Sequence, residues 1–388
     1  MKGLKLTISV LISNNYDNVK RCLDSIKPLL EETDAELILT DTGCDRPVRE
    51  LIETYSSHII NFTWCNDFSA ARNVGLKAAS GEWFLYVDDD EWFEDTSAIS
   101  DFLNSPEEKD YNVAFYVQRN YLDYNGINFI DHNVDRILRI NPELHFEHRI
   151  HEAYSGIEIG VKKLIGSYVH HYGYIYRDEE EMMRKHERNQ KLLELECNEH
   201  PEDMRMQYQL VINQYEIKDW DKAIEYAENA IKRQSDSEYW DACHTAILCC
   251  LEQKQDWQMI IALGEEYLQK NIYPFDRFGI MQYLVTAYWN TAQLQNICEI
   301  SSDILMLYSK YKADPSYFNR NQLMRTTFVE KENMTCMLIY VITSALCMKR
   351  MDIVTEFAVG AMASEVAEVL GNADIENWIA QRVNTYSN

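Results

Sequence analysis

Three consecutive carboxylates follow an apolar run, and no other residues of this sequence are better suited to chemistry. The run Leu85–Val87 predicts a buried strand, and Asp88, Asp89 and Asp90 come directly after it. Neighbouring carboxylates repel one another unless a cation neutralises them, and oxygen ligands on a loop suit Mg²⁺ or Mn²⁺. Such an ion stabilises a departing diphosphate as a Lewis acid. An acidic turn that caps the following helix is the alternative interpretation of the same residues.

The elements that must position these carboxylates alternate between strand-like and helix-like patterns. The predicted strands cover 6–12, 36–40, 59–62 and 83–87, and the predicted helices cover 19–30, 48–55 and 69–79. This alternation implies a parallel sheet covered on both faces, in which ligands bind beyond the carboxyl ends of the strands. Asn14, Asp41 and Asp88 each come just after a predicted strand, so we expect them to share one crevice.

From about Arg177 onward the strand signals stop and long helical patterns take over. The segment Asp219–Ala230 is typical of the second helix of a tetratricopeptide repeat, with small residues where helices approach closely. Similar breaks recur 37 residues later at Asp256 and again at Gln293, close to the ~34-residue period of such repeats. The segment Asp314–Asn319 interrupts this register as a predicted loop insertion, and a generic helical bundle is the alternative.

Length and charge limit the classes of function. A chain of 388 residues favours two domains, predicted here as 1–176 and 177–388. The net charge is -26, divided equally between those two parts, which excludes a basic nucleic-acid platform and disfavours an anionic membrane surface. The ten cysteines form no C-x-x-C pair, and the apolar stretch Met337–Met348 is too short to span a bilayer. We therefore expect a soluble, cytoplasmic protein with reduced thiols and no integral membrane segment.

Several motifs occur in an order that resembles the family 2 glycosyltransferases. They are Thr7–Asn14, Asp41-Thr42-Gly43, Ala71-Arg72-Asn73-Val74-Gly75-Leu76, Gly81–Phe84 and Val87–Glu91. The ordered set is far more specific than any one of these pieces. The resemblance covers roughly residues 1–176 and implies the α/β GT-A fold, a Rossmann-like domain that binds a nucleoside diphosphate sugar.

This resemblance assigns roles to residues around the predicted crevice. It implies that Asp41 holds the uridine, that Arg72 lies near the nucleotide, and that Asp88 and Asp90 form the D-x-D metal motif. With Asn14 and Asp89 at the same crevice, the predicted donor-binding residues are Asn14, Asp41, Arg72, Asp88 and Asp89. The family's usual glycine-serine-threonine is replaced here by Gly43-Cys44-Asp45.

Three further segments resemble a narrower subgroup, the sublancin-type peptide S-glycosyltransferases. They are Asn66–Asn73, Phe146–Glu152 and Val169–Tyr174. By this resemblance His171 is the third metal ligand and Glu152 lies nearest the acceptor. An imidazole is an acceptable ligand for Mn²⁺, and a carboxylate can act as the general base of an inverting transfer. A strand-end histidine pair and a surface turn are the alternatives for these two residues.

The sequence therefore predicts an inverting glycosyltransferase that uses Mn²⁺ or Mg²⁺. It would move a hexose from a UDP-sugar to a serine, threonine or cysteine side chain of a peptide or protein, because helical repeats present grooves that suit peptides. Extension of a cell-surface saccharide is an alternative within the same enzyme class. A catalytically inactive tetratricopeptide scaffold is the alternative outside it. A homodimer through the helical domain is a further expectation.

Overall fold

The computed structural model describes residues 3–176, 178–233, 237–318 and 326–386. The chain divides into two compact units, Met1–Leu192 and Leu193–Asn388. The domain boundary expected between residues 176 and 177 stays a prediction, and Arg177 itself lies outside the described residues. No helix of the described ranges is both long and apolar enough to cross a lipid bilayer.

The first unit is built on an eight-stranded mixed sheet with the strand order β3-β2-β1-β4-β7-β6-β10-β5. A separate two-stranded ribbon pairs β8 with β9. The strands are β1 (Leu6–Ile12), β2 (Ala35–Asp41), β3 (Ile59–Asn61), β4 (Trp83–Asp88), β5 (Glu91–Phe93), β6 (Val113–Tyr121), β7 (Phe129–Arg139), β8 (His145–Glu147), β9 (Ala153–Ser155) and β10 (Lys163–His171). The helices are α1 (Tyr16–Glu32), α2 (Arg46–Ile52), α3 (Phe68–Ala78) and α4 (Ser97–Asn104), with a 3₁₀ turn at Pro106–Asp110.

The central strands read as continuous apolar runs because both faces of the sheet are covered. Leu6, Ile8 and Val10 of β1 are fully buried, as are Leu85 and Val87 of β4. Strands β1 to β4 pair in parallel, as expected from their alternation with helices. The later strands make the complete sheet mixed, because β7 pairs antiparallel with β4 and with β6, and β5 pairs antiparallel with β10.

The second unit is helical throughout its described residues. Its helices are the C-terminal part of α5 (Glu179–Glu199), α6 (Met204–Glu216), α7 (Trp220–Ile231), α8 (Glu238–Gln253), α9 (Trp257–Leu268), α10 (Pro274–Asn290), α11 (Leu294–Ala313), α12 (Lys331–Cys347), α13 (Met351–Val359), α14 (Ala363–Leu370) and α15 (Ala373–Tyr386). Helices α6, α8, α10 and α12 also pack against one another in sequence, as the first helices of consecutive helix pairs. Ala223, Ala227 and Ala230 of α7 are fully buried, where close helix packing was expected.

The same turn joins the two helices of four successive pairs. Lys218, Gln255, Ala292 and Lys349 each take a positive φ, between 56° and 63°. In each case the next backbone N–H donates to the carbonyl five residues earlier, the 6→1 bond of a Schellman motif. The first three turns are 37 residues apart, so the predicted tetratricopeptide-like period is confirmed. After α11 comes a 3₁₀ turn at Pro315–Phe318, and the end of the predicted insertion, Asn319, lies outside the described residues.

Candidate active site

The crevice lies where the order of strands reverses. Strand β1 has β2 on one side and β4 on the other, so the parallel connections leave β1 in opposite directions. Open α/β sheets bind ligands at such a switch point, beyond the carboxyl ends of the strands. The backbone N–H of Ser13, just after β1, donates to Asp89 Oδ2 at 2.5 Å and so joins the two strand ends.

Asp88, the last residue of β4, is held by two arginines. Its Oδ1 accepts from Arg72 Nη2 at 2.6 Å, and its Oδ2 accepts from Arg136 Nη2 at 2.9 Å. Burial would raise the pKa of Asp88, but the two guanidinium groups outweigh burial and hold it well below its usual range. Arg136 also donates to Glu91, whose other oxygen accepts from the Asp88 backbone N–H. The first aspartate of the D-x-D motif therefore belongs to a buried ion-pair network.

Arg72 links this network to Glu152. Its Nε donates to Glu152 Oε1 at 2.8 Å, while its Nη2 holds Asp88. Asp67 caps α3 by accepting from the Ala70 N–H, which fixes the start of the helix that carries Arg72. Glu152 lies on the loop between β8 and β9, where His148 and His151 both take a positive φ. Left-handed conformations of residues other than glycine are strained and cluster at functional loops.

Asp90 and His171 approach each other on the other side of the crevice. His171 Nε2 lies 3.4 Å from Asp90 Oδ2, and His171 Nδ1 lies 2.6 Å from Asn120 Oδ1. This second contact orients the ring so that Nε2 is the nitrogen that faces Asp90. A Cβ at Gly173 would collide with the His171 ring and lie 3.2 Å from Asp90 Oδ2. The glycine therefore keeps the space beside both donors open.

These donors fit a divalent cation that shares its coordination sphere with substrate oxygens. One carboxylate and one imidazole converge, and Mg²⁺ and Mn²⁺ commonly use few protein ligands together with phosphate oxygens. Across the described ranges, no group of three or more His, Cys, Asp or Glu side chains is arranged to hold a metal ion. Burial, and after it the charge of Asp90, raise the pKa of Asp89 to about 7, so negative charge is in excess here.

Asp41 and Asn14 organise the loop after β2. Asp41 Oδ1 accepts from the backbone N–H groups of Gly43 and Cys44, and its Oδ2 accepts from Arg49 at 2.8 Å. Burial would raise the pKa of Asp41, but these donors outweigh it and lower the pKa to about 2. Asn14 Oδ1 accepts from the Asp45 N–H at 2.6 Å. Both side chains thus shape the loop that presents Thr42 to the crevice.

The crevice opens into a cavity of about 770 Å³ within the first unit. The candidate residues on its wall are Arg72, Asp88, Asp89, Asp90, Glu152 and His171. Asn14 and Asp41 are not among the lining residues, whereas their neighbours Asn15 and Thr42 are. The structure therefore brings six of the eight candidates onto one surface and leaves the other two directly behind it.

Sequence reasoning missed one face of α5 and several supporting residues. Glu181, Lys185, Arg188 and Asn189 line the cavity at helical spacing, although this segment had been assigned to the repeat domain. The helical spacing of these polar residues is the sequence signal that could have identified this face of α5. Arg136, Glu91 and Asn120 had no local signal, because their roles depend on partners distant in sequence. Of the aromatic residues close to these motifs in sequence, Tyr172 lines the cavity, whereas Trp83 is fully buried in the core.

The sheet order, the switch-point crevice and the D-x-D segment together define a GT-A domain, as predicted. Residues 7–166 match the family model described as Glycosyl transferase family 2. Residues 7–166 therefore match the family 2 glycosyltransferases, and the resemblance inferred from the motifs is confirmed.

Two relatives and one solved structure illustrate the likeness. A TPR repeat-containing protein of Synechococcus elongatus is 26% identical over 210 residues, which cover 51% of this chain and 49% of the relative. The prophage-derived glycosyltransferase SunS of Bacillus subtilis is 26% identical over 152 residues, covering 38% and 34%. The crystal structure of S. aureus TarS 1–349 in complex with UDP-GlcNAc has a TM-score of 0.38 at 14% identity, covering 65% of this chain and 88% of that chain. The chain spans half or less of the length of the two relatives.

Proposed function

We propose that the first unit is an inverting glycosyltransferase that transfers a hexose from a UDP-sugar. The observation that supports this most strongly is that Asp90, His171 and Glu152 line one cavity inside a family 2 domain. Glycosyl transfer needs a site for the leaving diphosphate and a base for the acceptor, and the two kinds of group line the same cavity.

Asp90 and His171 would hold the Mn²⁺ or Mg²⁺ ion. That ion supplies positive charge to the departing diphosphate. Direct ligation by Asp88 stays a prediction, and it requires one of the two guanidinium contacts to be exchanged for the cation. Asp89, held by the Ser13 N–H, adds negative charge beside the same cation site.

The rest of the donor would be bound by groups on the opposite walls of the cavity. Thr42 and Asn15 line the cavity beside the loop that Asp41 and Asn14 organise. This position suits the uridine part of the donor. Basic side chains on the wall, Arg21, Lys185 and Arg188, favour an anionic ligand. We therefore propose that Asp41 and Asn14 contribute to uridine binding by fixing the shape of this loop.

Glu152 would act as the general base. Arg72 holds its Oε1, and no described residue donates a hydrogen bond to Oε2. Oε2 would take the proton of the acceptor hydroxyl or thiol while the acceptor atom bonds to the anomeric carbon. The bond between that carbon and the diphosphate breaks in the same step, and UDP leaves. Our preferred acceptor is a serine, threonine or cysteine side chain of a peptide, because the second unit offers a repeat surface suited to peptides.

The test separates the base from the metal site. Glu152→Gln keeps the shape of the side chain but cannot accept a proton, so UDP release from UDP-sugars should fall by roughly 10²–10⁴-fold. Calorimetric binding of UDP with Mn²⁺ should stay near normal in this variant. His171→Ala should weaken both binding and turnover.

Glu147→Gln is the matched control, since Glu147 lies five residues earlier, is exposed, and contacts His145. It should leave UDP release unchanged. Unchanged release from Glu152→Gln would refute the assignment of the base. Mn²⁺-dependent UDP binding that survives His171→Ala would refute the assignment of the metal site.

A further inference from the structure

Helix α5 lines the transferase cavity with one face, although it lies beyond residues 7–166, the segment that matches the family. Lys185 Nζ donates to the Gly173 carbonyl at 2.7 Å, and a Cβ at Gly173 would meet both proposed metal donors. Three residues later on the same face, the guanidinium carbon of Arg188 lies 5.5 Å from the ring centroid of Phe68. This face of α5 therefore extends from the proposed metal site to the start of α3.

The start of α3 is joined to the loop that carries the proposed base. The backbone N–H of Phe68 donates to the Arg149 carbonyl at 2.9 Å. Arg149 lies on the loop between β8 and β9, three residues before Glu152, and both Arg188 and Glu152 line the cavity. Arg188 thus lies on the part of the cavity wall that connects the metal donors with the base, where the bond between sugar and diphosphate would break.

The charge of Arg188 has no counterion in the described part of the chain. Its Nε and Nη2 donate to Oδ1 of the neutral Asn189, at 3.2 and 2.8 Å, and no described carboxylate forms an ion pair with it. By contrast, Arg72 in the same cavity holds two carboxylates, and Arg184, one turn before Arg188 on α5, pairs with Glu180. A guanidinium without a carboxylate partner favours an anionic ligand, and its planar fork matches the oxygens of a phosphate group.

We propose that Arg188 binds the β-phosphate of the UDP-sugar and stabilises the leaving diphosphate. This inference rests on the transferase function proposed above, and it adds a catalytic residue from outside the segment that matches the family. When the bond between the anomeric carbon and the β-phosphate oxygen breaks, its electron pair stays on that oxygen. The guanidinium of Arg188 donates hydrogen bonds to the phosphate as this negative charge develops.

The test compares variants of the full chain by two measurements, the affinity for UDP from calorimetry with Mn²⁺ and the rate of UDP release from UDP-sugars. Arg188→Ala should weaken UDP binding by roughly tenfold or more. It should slow UDP release by roughly 10²–10³-fold, because the contact strengthens as charge develops on the leaving group. Arg188→Lys keeps the charge without the fork, so both of its values should lie between those of wild type and Arg188→Ala.

Arg184→Ala is the matched control, since it removes an exposed arginine one turn away on the same helix. It should change UDP affinity and UDP release by less than about twofold. Thermal unfolding followed by circular dichroism checks that each variant is folded.

Chemical rescue separates a contact with the substrate from a structural role. Guanidinium chloride, at a concentration far below the one that unfolds the chain, should restore part of the UDP release to Arg188→Ala. Sodium chloride at the same concentration should not, because it supplies ionic strength without a hydrogen-bonding fork. Wild type and Arg184→Ala should gain nothing from guanidinium.

Two results would overturn the proposal. The first is an equal UDP affinity of Arg188→Ala and Arg184→Ala, and the second is slow release by Arg188→Ala with no gain from guanidinium. Failure of the transferase proposal gives a different result, because the wild type would then release no UDP from any UDP-sugar. The calorimetric comparison of Arg188→Ala with Arg184→Ala still decides the phosphate contact in that case.

Discussion

The two units each bury carboxylates, and they treat the buried charge differently. In the first unit Asp88 and Glu91 share Arg136, and Asp88 and Glu152 share Arg72, so each carboxylate has a guanidinium partner. In the second unit Glu252, a half-buried residue of α8, has no such partner among the described residues. The charges of the first arrangement are compensated by residues of the chain itself, whereas the second leaves one half-buried charge uncompensated.

The pairing in the first unit relates to the function proposed for its cavity. A transferase site must hold its reacting groups within a fraction of an ångström, and paired arginines fix their directions. Removing one cation from the network around Asp88 should therefore be strongly destabilising, because it leaves buried carboxylates unpaired, while the isolated Glu252 should slightly destabilise the protein.

The largest effect is expected from breaking the network of the first unit. Arg136→Met leaves Asp88 and the fully buried Glu91 without their shared cation. The free energy of unfolding, measured by urea denaturation of the full chain, should fall by about 3–5 kcal/mol. Arg119→Met, which removes the half-exposed pair with Asp131, should cost less than about 1 kcal/mol. Equal losses in the two variants would show that the buried network around Asp88 matters no more to stability than a half-exposed ion pair.

A smaller effect is expected from the residue that orients His171. Asn120 is 1% exposed, and its contact with Nδ1 sets which nitrogen of His171 faces Asp90. Asn120→Ala should weaken Mn²⁺-dependent binding of UDP by about 10–100-fold, the usual cost of losing such a supporting contact. Calorimetry with and without Mn²⁺ measures this. Asn104→Ala, at the exposed end of α4, should bind normally, and a normal Asn120→Ala variant would refute the proposed orientation.

The smallest effect concerns the stability of the second unit. Because burial raises the folded-state pKa of Glu252, the folded chain holds this proton to higher pH than the unfolded chain does. Wild-type stability should therefore fall as pH rises from the ordinary glutamate pKa through the raised one. Glu252→Gln should be more stable than wild type above that window, by on the order of 1 kcal/mol because the group is only half-buried, and no different below it.

Thermal unfolding over a pH series checks this prediction. Glu225→Gln, an exposed control, should change stability by no more than about 0.5 kcal/mol at any pH. A Glu252→Gln variant that is less stable than wild type at neutral pH would show that Glu252 has a stabilising partner in the free chain.

The features predictable from sequence were those encoded locally. The run at Leu6–Ile12 predicted β1 to the residue, and the breaks at Asp219, Asp256 and Gln293 predicted the repeat period because one turn type recurs there. The carboxylates after β4 were found because they follow a strand directly.

The rest depended on contacts between residues distant in sequence. Arg136 follows Asp88 by 48 residues and Glu152 follows Arg72 by 80, so no local sequence pattern could predict these ion pairs. The antiparallel position of β7, which brings Arg136 to the crevice, was likewise not encoded in the alternation of strands and helices. Metal ligation by Asp88 is an inference from the motif alone, because its contacts with Arg72 and Arg136 are visible only in the structure.

The central claim is that the cavity of the first unit releases UDP from a UDP-sugar with the help of a divalent cation. The direct measurement is the rate of UDP release by the full wild-type chain from a panel of UDP-hexoses and UDP-N-acetylhexosamines, with Mn²⁺, with excess chelator, and after Mn²⁺ is restored. We predict release from at least one sugar nucleotide in Mn²⁺, loss of that release in chelator, and recovery on readdition. Release that persists in excess chelator would contradict the metal site, and no release from any UDP-sugar would contradict the enzyme and favour a binding scaffold.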